Sequence, residues 1–213
     1  MKKSFLLIIT LILLGGFLAS CSANRGFVSN VTRNDIQRIV PFEIDAHFSC
    51  VECGISFVHN DSVTSIAKSL FEKELTNDKT LPMAETIAFS DTLIHDKVQK
   101  EIYWLMILIE SYPPVDVRKL AIPPTIDSIL CSRNERFGLL VHTGGYYCPD
   151  GELRQMNGNM LTACEGSSRS AIFIVDSELK NLAYVATAWC NSSPLKAGTY
   201  QKQVKDLLKK YKK

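Results

Sequence analysis

The sequence predicts a single mixed α/β domain, a central sheet flanked by helices, and three observations predict it. Two long segments, residues 63–75 and 94–109, carry apolar residues at helical spacing. Three later segments, residues 137–141, 171–175 and 182–189, are apolar and partly β-branched, as buried strands are. These elements interleave along the chain, which favours helices packed on a sheet. An α+β arrangement fits the same order.

A first strand region is expected over residues 38–48, continuing after Cys53 through Ile55 to His59. Asp61 or Ser62 can accept hydrogen bonds from free amides at a helix start. The helix that follows places Val63, Ile66, Ala67, Leu70, Phe71 and Leu75 on one face and ends at Asn77-Asp78. A short extended piece is expected near residues 86–89. Ser90 or Asp91 then opens a longer helix to about Ser111, with a stripe of Ile94, Val98, Ile102, Leu105, Met106 and Ile109. Trp104, Ile107 and Leu108 broaden that stripe, and Tyr103 and Trp104 are expected in the core.

Pro113-Pro114 stops this helix, because proline disfavours helical geometry in the residue before it. Pro123-Pro124 starts a short one over residues 125–131, since proline suits the first turn. The strands over 171–175 and 182–189 are joined by a connection of hairpin length. A last helix begins near Thr199, with Tyr200, Val204, Leu207, Leu208 and Tyr211 inward and six lysines outward or near its C-terminal end.

The start of the chain is distinctive. Lys2 and Lys3 precede an apolar run over residues 5–19 that ends in Leu18-Ala19-Ser20-Cys21. As a helix the run reaches about 22 Å, short of a hydrocarbon core of about 30 Å. A basic start, a short apolar stretch and small residues read as a removable signal. The segment resembles a bacterial lipoprotein signal with its lipobox. The resemblance implies cleavage after Ser20, a diacylglycerol thioether on Cys21, and an amine acylated with a chain such as palmitate. Several chains on one residue hold far more firmly than one. Ser22, where an aspartate would redirect sorting, resembles the outer-membrane pattern. The expected organisation is a signal over residues 1–20, a lipidated flexible tether over 21–34 and a globular domain over 35–213, facing the periplasm.

Removing that signal leaves 193 residues, enough for one domain with a sizeable core. It also removes two of the 24 basic side chains, which leaves 22 against 22 acidic ones. A neutral chain offers no electrostatic case for nucleic acid.

Apart from Cys21, six cysteines remain, an even number that in an oxidising compartment argues for disulfides. Cys148 and Cys164 bracket the turn-forming Pro149-Asp150-Gly151 and Asn157-Gly158-Asn159, so a stapled insertion is expected there. Closing it contributes about 3 kcal/mol in the chain-entropy model. Cys50 can bridge Cys53 across a turn, which leaves Cys131 for Cys190.

The element order resembles the envelope-lipoprotein α/β domain shared by the TolB amino-terminal domain, the curli-secretion lipoprotein and lipoprotein activators of peptidoglycan synthases. The matching pieces are Ile39-Val40-Pro41-Phe42 as first strand, residues 62–75 as first helix, and the hairpin over 172–187 before the closing helix. Residues 42–61 and the Cys148 to Cys164 segment depart from that pattern. No functional residue transfers with it.

No spacing specifies a reaction or a cofactor. The pairs Glu43 with Asp45, and Glu72 with Glu74, read as solvated faces. His142 with Cys148 lacks an orienting group for nucleophilic chemistry. The leading expectation is a non-enzymatic, membrane-anchored binding or scaffolding domain with an envelope protein or peptidoglycan partner. A second reading is a metal- or thiol-dependent enzyme built on His47, Cys50, Cys53 and His59, because thiolate and imidazole suit zinc and Cys-x-x-Cys suits redox exchange.

Overall fold

The computed structural model describes residues 26–53, 56–111, 115–154, 161–163 and 165–212. The chain passes through β1 (Val40–Pro41), β2 (Asp45–Glu52), β3 (Ser56–His59), α1 (Asp61–Asn77), α2 (Thr92–Glu110) and α3 (Pro124–Ser132). It continues through β4 (Phe137–Tyr147), β5 (Glu152–Arg154), β6 (Leu161–Ala163), β7 (Gly166–Asp176), β8 (Asn181–Cys190) and α4 (Ala197–Leu208). β5 and β6 pair only with each other. The remaining strands form one six-stranded sheet in the order β3-β2-β4-β7-β8, with β1 beside the start of β4.

β1 and β2 are two parts of one line along β4. Both run parallel to it, β1 opposite Gly138 and Leu139, β2 opposite residues 142–147. The other neighbouring strands are antiparallel, so the sheet is mixed.

Strand alternation sorts the core into two layers. Phe137, Leu139, Val141, Ile172 and Ile174 face α1 and α4, where Phe71, Tyr200, Val204 and Leu207 cover them. Leu140, Ala171, Phe173 and Val175 face the opposite way, under Val98, Ile102, Met106 and Ile109 of α2 and Ile126 and Leu130 of α3. Fully burying a side chain such as Phe71 stabilises by about 1.5–3 kcal/mol. The fold is therefore a helix–sheet–helix sandwich in one domain, as the periodicities imply.

The helix starts have specific causes. α1 is capped by Asn60, one residue before the expected caps, whose Oδ1 accepts from Val63 N–H at 3.0 Å. α2 is capped by Asp91, whose Oδ1 accepts from Leu93 N–H at 2.8 Å. α3 has no capping side chain of its own at Pro123. Glu101 of α2 supplies one, accepting from Thr125 N–H at 3.0 Å and Ile126 N–H at 3.1 Å, which ties the two helices together.

Several expectations need correction. β4 runs to Tyr147 because β2 and β7 satisfy its backbone on both sides, so polar His142 and Thr143 and bare Gly144 and Gly145 continue the strand. Residues 26–28, expected in the tether, already join the fold. Val28 N–H donates to Ala183 O, and Val185 N–H donates to Gly26 O. Tyr103 and Trp104 are not core: they lie 44% and 60% exposed on the flank of α2.

The cysteine pairings are corrected too. Cys50, Cys53, Cys131 and Cys190 are free thiols. Cys50 packs against the α1–α4 core, whereas Cys53 sits exposed beyond β2 in a left-handed turn with φ 51°. Cys131 lies 3.4 Å from Lys180 Nζ, just before β8, and Cys190 ends β8. Ten residues of strand separate those ends by about 30 Å, far beyond disulfide reach. The expected Cys148 to Cys164 pair lies outside the described residues through Cys164.

Candidate functional site

The site begins with an aspartate on a strand. Asp45 and His47 are two residues apart on β2 and share the α2 face of the sheet. Register puts His142 of β4 directly opposite Asp45, and Gly144 opposite His47. The Asp45 carboxylate, buried at 1% exposure, lies 2.6 Å from His142 Nδ1 through Oδ2 and 2.9 Å from His47 Nε2 through Oδ1.

The electrostatics fix the protons. Burial pushes the Asp45 carboxyl up, but hydrogen bonds and charge from His142 and His47 outweigh it and hold the group below the usual aspartate range. An ionised carboxylate only accepts, so both facing ring nitrogens carry hydrogen. The hydrogen bond to Asp45 raises the His47 imidazole above its ordinary value, against partial burial.

Tyr103 closes this group from α2, with ring centroids 5.7 Å from His47 and 5.8 Å from His142. His59 of β3 stands 6.4 Å from His47 on the far side. A cleft of about 500 Å³ opens beside them, lined by His47, Asp96, Gln99, Lys100 and Tyr103.

One row of side chains extends this site across the sheet. His47 faces Gly144, Gly144 faces Arg169 of β7, and Arg169 faces Trp189 of β8. Glu110, the last residue of α2, pairs with Arg169 at 2.5 Å. Burial raises the Glu110 carboxyl, and Arg169 and His142 oppose that rise. Trp189 Nε1–H donates to Ser167 Oγ at 2.6 Å, which pins an indole that is 59% exposed.

Two glycines shape the floor of this row. A Cβ on Gly144 would lie 3.2 Å from His142 Nε2, so its absence leaves the imidazole open to the row. At Gly145, with φ of 156°, a Cβ would come within 2.0 Å of Ser167 O. Only glycine fits there.

The predicted four-residue set is not assembled. His47 and His59 share the α2 face, but β2 alternation turns Cys50 to the other side, and Cys53 lies beyond the strand. No cluster of three or more His, Cys, Asp or Glu suited to a metal occurs among the described residues. His142 and Cys148 are six strand residues apart, about 20 Å. Asp45, read as solvated, is the buried centre of the group. Glu110, Arg169 and Trp189 escaped the sequence reading, and His142 entered it only beside Cys148, because it takes the register of four strands to bring these residues together. Cys21 lies outside the described residues.

No family model matches this chain, and no curated protein matches it. Among solved structures it is similar to a PelC dodecamer from Paraburkholderia phytofirmans, with 8% identity and a TM-score of 0.42 over 86% of this chain and 94% of that one. It is also similar to the LpoB C-terminal domain from Salmonella enterica, with 7% identity and a TM-score of 0.32 over 78% of this chain and 88% of that one.

Proposed function

We propose that this protein is a lipid-anchored component of the bacterial outer membrane, held through Cys21, that binds another envelope component on the α2 face of its sheet. The observation that carries the binding reading is the exposure of Tyr103 and Trp189, at 44% and 59%, along the His47–Gly144–Arg169–Trp189 row. Large aromatic side chains contribute disproportionately to the affinity of interfaces. Trp189 is held by its hydrogen bond to Ser167, so little ordering entropy is lost on binding. The lipobox pattern ending at Cys21 supports the anchor and the compartment.

The test is capture from solubilised envelope with the native protein and with a Trp189→Ala variant. A discrete protein or peptidoglycan fragment retained by the native chain and lost with the variant supports the reading. Equal recovery with both, or nothing above background, overturns it. Mass measurement of the N-terminal peptide tests the anchor separately: an unmodified cysteine at position 21 would end that part.

A further inference from the structure

The fold begins close behind the expected anchor. Gly26 and Val28 exchange backbone hydrogen bonds with β8 at 3.1 and 3.0 Å, and Phe27 bridges Tyr184 between them. Phe27 is further held by the Tyr184 and Tyr211 rings, at centroid distances of 5.2 and 5.5 Å. Five peptide steps separate Cys21 from Gly26, and a fully extended chain covers them in at most about 18 Å. A lipidated Cys21 therefore keeps this one corner of the domain beside the bilayer, whatever the rest does.

That corner is cationic. Residues 26–30 share a groove of about 640 Å³ with Val117, Arg118 and Lys210. Lys210 packs its methylenes on Gly26, where an added Cβ would stand 3.2 Å from Lys210 Cδ. Arg33 lies over the Tyr211 ring at 5.8 Å, and Lys119 continues the turn that carries Arg118. The opposing carboxylates are Asp116, paired with Arg118 at 3.0 Å, Asp35, in the same turn as Arg33 and bonded to Thr32, and Asp206, one helical turn before Lys210. Four cations stand against three anions, and their long stems suit the boundary between water and lipid.

We propose that residues 26–30, with Arg33, Arg118, Lys119 and Lys210, form a contact surface for anionic phospholipid headgroups. It rests on the anchored reading above and adds an orientation to it: the β8 edge lies against the bilayer and the β3 edge points away. Each basic residue near an anionic surface strengthens attraction by about fivefold.

The test uses the purified full-length lipidated protein in vesicles of phosphatidylcholine alone or with phosphatidylglycerol. Amide exchange at residues 26–30 and 117–119 is expected to slow about fivefold or more when the anionic lipid is present, and to recover in high salt. An Arg118→Glu, Lys210→Glu variant is expected to lose that protection while exchange in β4 and β7 is unchanged, which shows that the domain remains folded. Equal exchange in both vesicle types, or protection on the α2 face instead, overturns the proposal. Lipidation of Cys21 is read from the mass of the N-terminal peptide, so loss of the anchor and loss of the orientation are distinguished.

Discussion

Asp45 and His142, 97 residues apart in the chain, meet across β2 and β4 with 2.6 Å between carboxylate oxygen and ring nitrogen. The pair has a steep local energetic consequence. Replacing Asp45 by alanine leaves a buried imidazole without its acceptor and removes the link to His47. The expected loss is about 2–4 kcal/mol, read as a lower urea midpoint. A midpoint within error of the native protein would show that the pair is energetically idle.

The same cluster gives stability a pH window. The Asp45 carboxyl is held below its ordinary value of 3.8, so its contribution is present above that value and is lost as pH falls through the lower, folded one. The His47 imidazole is raised above 6.5, so its contribution is full below 6.5 and disappears as pH rises through the higher, folded value. The cluster therefore stabilises most between pH 3.8 and 6.5. His47 is over half exposed, so solvent screening keeps its limb shallow. Urea midpoints followed against pH should show both limbs in the native protein and neither in Asp45→Asn.

Both tryptophans of the chain, Trp104 and Trp189, are about three-fifths exposed. Native fluorescence is therefore expected at long wavelength and readily quenched by acrylamide, with little further red shift on unfolding. Occupation of the α2 face should move it to the blue and slow quenching. A blue native spectrum would place an indole in the core and remove the exposed platform.

Gly144 and Gly145 separate function from folding. Gly145→Ala drives a methyl into Ser167 O and is expected to cost about 3 kcal/mol or more. Gly144→Ala makes tight but tolerable approaches to His47 O and His142 Nε2, for about 1 kcal/mol. That second variant fills the floor of the row, so it should weaken partner capture in a protein that still melts cooperatively.

Local rules account for much of what was legible. Helical spacing revealed the inner faces of α1, α2 and α4 apart from Ile66 and Ile94, which lie exposed at the stripe margins, and Asp91 and the prolines marked boundaries within a residue or two. Trp104 misled, because an apolar flank beside an apolar stripe has the same composition whether or not something covers it. Asp45 misled for another reason: a charged residue next to a histidine on a strand looks solvated until a second histidine arrives from β4. Cys131 pairs with Cys190 only by elimination, and in the structure Cys131 of α3 sits by Lys180 at the start of β8 while Cys190 is at its end. Gln203, buried on α4 and bonded to Ser168 and Ser170, also has no local signature.

The parallel pairing of β2 with β4 bears on how the chain acquires its shape. β7, β8 and α4 follow one another with short connections, and only the segment carrying β5 and β6 separates β4 from β7, so these elements close cheaply and early. β2 must return across the whole of α1, α2 and α3 to reach its place beside β4. Docking of that strand is expected to be the slow final event of folding, and the cluster around Asp45 forms with it. Until then, residues 142–147 of β4 keep an unpaired edge, a template on which a strand from another molecule could add.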